Sequence, residues 1–210
     1  MLAERSYLKH ECPGAGDLDC YGSIALTILI NKEAAAERLV IAAVQMCERG
    51  DEPLAIHVVA MSALSVLREL IARRGDSFGT RSLGATIYYA ATQKLAGHEY
   101  PKSLDEDFNS VLHDAADVVA AAISAGQVSH PDELDLYLPK HVEQTFYSLI
   151  TAPFNYLKHA DRDGEQLLAT DDVDPTLATV NAIAALNMLF PGRELRPELS
   201  SFFIANTPSL

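Results

Sequence analysis

The stretch EAAAERLVIAAVQMCERGDEPLAIHVVAMSALSVLRELIARRG, at residues 33–75, decides the fold class because it contains two series of apolar residues at helical spacing. Residues three or four positions apart lie on one face of a helix, so each series predicts a helix with one buried face. The short Gly50-Asp51 connection predicts an antiparallel hairpin. The predicted faces consist of Ala36, Leu39, Val40, Ala43, Val44 and Cys47, and of His57, Ala60, Met61, Leu64, Leu67 and Ile71.

The ends of both helices are marked by residues typical of caps. Asn31 is expected to cap the first helix, and Gly50 to follow its end. Asp51 is expected to cap the second helix, with Pro53 in its first turn and Gly75 after it.

Four further segments have the pattern of helices. One covers residues 83–96. Another, KSLDEDFNSVLHDAADVVAAAISAG at residues 102–126, has an apolar stripe. The segment PKHVEQTFYSLITA lies between Pro139 and Pro153, and each proline is expected to end or kink a helix. Residues 175–190 are apolar almost all round, which predicts a central buried helix. The stripe of the second segment consists of Phe108, Val111, Leu112, Ala115, Val118, Val119 and Ala122.

Length and composition predict one helical domain. The chain has 210 residues, 49% of them hydrophobic, with repeated alanine runs and no charged or Gly/Ser-rich linker. We predict an irregular N-terminal arm at residues 1–22 and a single domain at residues 23–210. The β-branched segment SIALTILI, residues 23–30, predicts a short extended start to that domain. The predicted fold is all-α, an up-and-down bundle of five to seven helices.

Charge and cysteine content restrict the classes of function. The net charge of -13 repels phosphate backbones, so RNA binding is possible only through a local basic groove and is not favoured. Cysteines 12, 20 and 47 show no CxxC spacing, which indicates neither a disulfide framework nor a cysteine zinc site. With no apolar signal-type segment at the N-terminus, we expect a soluble, cytoplasmic protein without a membrane partner.

The segment FNYLKHADRDG, residues 154–164, is the candidate site. If it is helical, Asn155, His159 and Asp163 share one face, and Lys158 and Arg162 form a neighbouring cationic row. Histidine can exchange protons near neutral pH, lysine can stabilise developing negative charge, and an amide can orient a hydroxyl group. The alternative interpretation is a solvated helix end whose ion pairs are worth about 0.3–0.5 kcal/mol each.

The residues expected to bind a ligand are His57, Asp161 and Asp163. His57 lies in an apolar stripe, where a histidine is more often a hydrogen-bonded core residue than a ligand or base. His57, His159 and Asp163 could together hold zinc or iron, but no HExxH or ExxH pairing supports this. We therefore expect no metal and no cofactor.

The hairpin at residues 33–75, followed by FNYLKH, resembles the HEPN family of small helical domains. The resemblance covers roughly residues 33–75 and 140–162. It implies a four- or five-helix bundle that forms a homodimer with its motifs facing one cleft. In this resemblance Asn155 and His159 would be the polar and catalytic residues. Phe154 stands where the family has arginine, and neither Lys158 nor Arg162 is at the matching position, which favours a binding derivative.

Three hypotheses of function follow. The first is a homodimeric HEPN-like protein that binds an anionic or nucleotide-like ligand, or a partner protein, in a polar cleft. The second is a metal-independent ribonuclease with His159 as general base, assisted by Asn155, Lys158 and Arg162. The third is a metal-dependent hydrolase or oxygenase. The dimer is expected from the apolar C-terminal SFFI and from SIALTILI, although both could also pack within their own subunit.

Overall fold

A computed structural model of the chain describes residues 29–98, 106–134, 140–158, 168–169 and 173–207. Within these ranges the chain forms helices and no strand, which confirms the all-α prediction at the upper end of the expected helix number. Residues 1–22 of the predicted arm, and most of SIALTILI, lie outside the described residues. The helices are α1 (Lys32–Arg49), α2 (Pro53–Arg73), α3 (Phe78–Leu95), α4 (Glu106–Ser124), α5 (Lys140–Lys158), α6 (Pro175–Leu189) and α7 (Pro197–Asn206), with a 3-10 turn at Pro131–Glu133.

The predicted hairpin is present, with one change at its turn. Asn31 caps α1 by accepting a hydrogen bond from the Ala34 amide at 2.7 Å, and Gly50 adopts a left-handed φ of 69°. The prediction that Asp51 caps α2 is wrong. Glu52 is the cap, and Asp51 instead forms an ion pair with Arg49 at 2.6 Å. Because α2 begins at Pro53, Asp51 lies one residue too early to reach its first free amides.

The first hydrophobic cluster is built around α2, which packs against α1 on one side and α6 on the other. The whole predicted stripe of α2 is buried, and α6 supplies the facing apolar residues. This burial accounts for the apolar composition of α2, which is also long enough to span a bilayer. The α6 residues buried in this cluster are Ala178, Ala182, Ile183, Ala185, Leu186 and Leu189.

A second hydrophobic cluster joins α3, α4 and α5. The prediction is correct for most of the α4 stripe, but Val118 is 67% exposed and Ala122 is not in the cluster, whereas Ala116 and Ala120 are buried there and were not predicted. The buried face of α4 runs through Phe108, Leu112, Ala116 and Val119, which follow one another at three- or four-residue spacing. Val118 lies outside this face. Ile150 of α5 packs against both clusters, so α5 links them.

Pro153 was expected to end or kink a helix. Helix α5 does not end there and continues to Lys158. Proline has no N–H, so the carbonyl of Leu149 lacks its usual helical donor. One turn earlier, the hydroxyl of Thr151 donates to the Tyr147 carbonyl at 3.0 Å. Pro153 itself is buried, and its ring packs at the side of α5 that faces α2 and α6.

Polar contacts attach α5 to its neighbours. The Arg68 guanidinium of α2 lies 3.6 Å from the centre of the Tyr147 ring. At the start of α3, the hydroxyls of Ser77 and Thr80 donate to Glu143 Oε1 at 2.7 and 3.1 Å. Because Glu143 accepts bonds at the positive end of α3, it joins the two helices electrostatically as well as by hydrogen bonds.

Replacement of Gly79 by alanine is expected to be about 1–2 kcal/mol less favourable to stability than replacement of Gly84, a second glycine of α3. A Cβ there would lie 2.9 Å from Glu143 Oε1 and 3.3 Å from its Cγ, so the carboxylate would have to leave both hydroxyl groups. Gly84→Ala is the matched control in the same helix, because a Cβ there meets nothing within 4 Å. The control is expected to gain up to about 1 kcal/mol. Chemical denaturation measures both free energies of unfolding, and equal values for the two variants would contradict this account.

Candidate functional site

A small cleft lies where α2, α5 and the start of α6 meet. His57 of α2 forms part of its wall, and its volume is about 60 Å³. One water needs roughly 10–15 Å³ on this measure, so the cleft has room for about four waters or a group of similar size. The remaining lining residues are Leu149, Ile150 and Pro153 of α5, and Asp174, Leu177, Ala178 and Asn181 at the start of α6.

His57 is the unusual residue of this cleft. Its side chain is only 3% exposed, and neither ring nitrogen has a hydrogen-bond partner among the described residues. The expectation of a core histidine is correct for burial, but neither ring nitrogen makes a hydrogen bond of normal geometry, although the Asp174 backbone lies near enough to the ring to act on its pKa. Leaving a buried polar group unpaired costs about 1–3 kcal/mol. An imidazole that is buried in a cleft without a partner is positioned to bind a group that enters the cleft.

Burial also sets the charge of His57. Desolvation lowers the pKa of His57 below its ordinary value of 6.5, and the nearby backbone and carboxylate of Asp174 only partly oppose this. The imidazole is therefore neutral near pH 7, with one donor nitrogen and one acceptor nitrogen.

Asp174 brings a negative charge to the cleft. It caps α6, where its Oδ1 accepts a hydrogen bond from the Leu177 amide at 2.8 Å. The Ala178 amide bonds to the Asp174 carbonyl at 3.1 Å, and Pro175 has no N–H. The amides that commonly bind anions at a helix start are thus largely occupied or missing here. The carboxylate charge exceeds the helix-end charge of about +0.5, so the described lining favours cations over anions.

Cys47 of α1 lies beside α6 but is not prepared for nucleophilic chemistry. Its Sγ is 3.6 Å from the hydroxyl of Thr179, which itself donates to the Pro175 carbonyl at 2.8 Å. Burial raises the pKa of Cys47, so the thiol form predominates at neutral pH.

Of the residues predicted in FNYLKHADRDG, the structure describes Asn155 and Lys158. Both are exposed in the last turn of α5, and the Asn155 amide donates to Thr151 Oγ1 at 3.1 Å. Neither lines the His57 cleft, because Asn155 follows the cleft-facing Pro153 by two residues, or about 200° around the helix. The helix assumed after Pro153 is present as far as Lys158.

The other predicted site residues, His159, Asp161, Arg162 and Asp163, lie outside the described residues. Their shared face, and any approach of His159 to His57, stay predictions. Among the residues that the structure describes, no group of three or more His, Cys, Asp or Glu side chains could hold a metal ion. The hypothetical metal site of His57, His159 and Asp163 includes two residues, His159 and Asp163, that lie outside the described residues.

Of the eight described residues that line the cleft, only His57 was predicted as a site residue, and the polar members Asp174 and Asn181 were not. The residues Asp174-Pro175 at the start of an apolar segment are a recognisable helix-start signal. Pro153 was identified only as a possible helix breaker. Asn181 is the one amide in the first two turns of the largely apolar helix α6, which is a signal that could have been noticed.

Comparison with known proteins gives no relative of this chain. No family model matches it, and no curated protein or solved structure shows significant similarity.

His57 is expected to make stability depend on pH below its ordinary pKa of 6.5. Because its folded pKa is lowered, the unfolded chain takes up the proton first as pH falls. The stability conferred by the neutral imidazole is therefore complete above pH 6.5 and is lost as pH falls through the folded pKa. Free energies of unfolding at pH 7.5 and 5.5 should differ less in His57→Gln than in the unchanged protein.

The matched control is His141→Gln, which replaces an exposed histidine of α5. This variant should keep the full pH dependence of the unchanged protein. If His57→Gln and His141→Gln lose equal stability between the two pH values, His57 does not titrate as a buried neutral group.

Proposed function

We propose that the protein is a HEPN-like helical binding protein whose site is the cleft around His57. The observation that supports this is the buried imidazole, which borders a cavity and has no partner among the described residues. Native proteins pair nearly all buried polar groups, and exceptions call for a specific explanation. A ligand group that hydrogen-bonds to His57 would supply the missing partner.

The cleft is suited to binding more than to catalysis. Its charged group, Asp174, is engaged as a helix cap, and Cys47, the thiol among the described residues, is in its protonated form. The small volume admits the end of a ligand or a side chain of a partner protein, and not a whole nucleotide. An anionic or nucleotide-like ligand would need positive charge from Lys158 or from residues beyond the described part. The described lining therefore supports a partner side chain or small ligand more strongly.

Binding in the cleft can be tested with 1-butanol, a neutral probe of about the right size. Millimolar 1-butanol is expected to shift the NMR signals of the Ile150 and Ala178 methyl groups, which line the cleft. Ala178→Val fills the cleft with two additional carbons and should weaken binding by about tenfold. The matched control is Ala152→Val, because Ala152 is exposed on α5 and lies outside the cleft.

Two results would contradict the proposal. One is an absence of methyl shifts at every probe concentration that leaves the protein folded. The other is cleavage of mixed RNA in EDTA that His159→Ala abolishes, since this would support the ribonuclease hypothesis instead.

We also propose that the protein is a homodimer, as the HEPN resemblance implies. In α7, Phe202 and Phe203 pack against the subunit's own core, while Ile204 is 72% exposed. An exposed apolar residue at the end of a helix is compatible with a contact between copies. Light scattering should give a mass near twice 22.8 kDa. A mass near that of one chain would reject the dimer.

A further inference from the structure

We propose that the group bound in the His57 cleft is the end of an alkyl chain that bears a primary ammonium. This inference rests on the proposed function, since it assigns a chemical class to the ligand of the same cleft. The cation could belong to a free alkylamine or to a lysine side chain of a partner protein. Three features of the lining support it: the charge, the balance of donors and acceptors, and the apolar walls.

The charge of the cleft is negative. Asp174 is exposed at its edge and close enough to His57 to act on the imidazole, which burial keeps neutral. No lysine or arginine belongs to the described lining. A cation entering this cleft would be attracted to the carboxylate, whereas an anion would be repelled by it.

The lining offers several acceptors in addition to the donors of the His57 ring and the Asn181 amide. The carboxylate of Asp174 offers oxygens, and the neutral His57 ring offers one acceptor nitrogen. The carbonyl of Leu149 lacks its helical donor because Pro153 has no N–H, and both residues line the cleft. An ammonium group has three donors and no acceptor, so it complements this set.

The walls suit an alkyl chain. Ile150 and Ala178 are apolar, and the side chains of Leu149 and Leu177 are 40% and 51% exposed although both border the cleft. These exposed leucines form an apolar edge around a polar interior. A chain of about four carbons would cover them while its ammonium lies beside the Asp174 carboxylate at the edge of the cleft, and this matches a cleft with room for about four waters.

The inference can be tested with three probes of one length: n-butylammonium, n-butyrate and 1-butanol. Their affinities are measured at pH 7.5 from NMR shifts of the Ile150 and Ala178 methyl groups. We expect n-butylammonium to bind more tightly than 1-butanol, and n-butyrate to bind more weakly than both. Added salt should weaken n-butylammonium binding and leave 1-butanol unchanged.

Asp174→Asn isolates the charge, because asparagine caps a helix about as well as aspartate does. In this variant, n-butylammonium affinity should fall by about three- to fivefold, as expected for a partly solvated ion pair. Affinity for 1-butanol, which has no charge, should fall less than affinity for n-butylammonium. Asp114→Asn makes the same charge change on the exposed face of α4, and it should leave all three affinities unaltered.

The outcomes separate this inference from the proposed function. If 1-butanol and n-butyrate bind and n-butylammonium does not bind more tightly, the cleft is a binding site but not for cations. If none of the three probes binds, both proposals fail. If Asp174→Asn and Asp114→Asn weaken n-butylammonium equally, the attraction comes from the overall charge of -13 and the inference is overturned.

A fourth probe distinguishes the two sources of the cation. Lysine capped at both its amino and carboxyl groups presents the same ammonium on a peptide backbone. Binding of capped lysine with an affinity like that of n-butylammonium supports a partner's side chain as occupant. Binding of n-butylammonium alone supports a free amine, since the cleft would then exclude a peptide backbone.

Discussion

The burial of α2 between α1 and α6 is the constraint on which the rest of the structure depends. Each large apolar side chain that moves from water into this core stabilises the fold by about 1.5–3 kcal/mol. Helix α2 contributes Met61, Leu64, Leu67 and Ile71 to that core, all nearly inaccessible to solvent. Helices α2 and α6 are far apart in sequence. Their contact therefore also determines where α6 lies relative to the earlier helices.

That packing creates the cleft at one end of α2. His57 lies early in α2 and continues the same buried face, but the helix facing it there is only beginning. Near its start, α6 carries polar Asp174 and Asn181 in addition to apolar residues. On the third side, Pro153 presents a ring and removes an amide donor from α5. The His57 side chain is thus buried by helices that do not provide it with a partner.

An apolar residue in place of His57 would avoid the cost of an unpaired buried imidazole. Departures of this kind from local rules are expected at functional sites, where a residue serves binding at some cost in stability. The packing of the two hydrophobic clusters, linked through Ile150, is extensive enough to offset that cost. The packed core and the cleft around His57 therefore meet at α5.

The sequence by itself determined the apolar faces of α1 and α2 and the helix ends marked by clear caps, because these depend on residues close together in the chain. It did not predict α7 as a helix or the start of α3 at Phe78 instead of residue 83. The stripe of α2 and the caps at Asn31 and Gly50 are such local features. The pattern placed the cap of α2 one residue too early, at Asp51 instead of Glu52, and it could not show that α5 continues through Pro153, whose ring is buried against other helices. The cleft was decided only by the tertiary structure. Its residues come from three helices far apart in sequence, and whether His57 has a partner depends on how those helices meet.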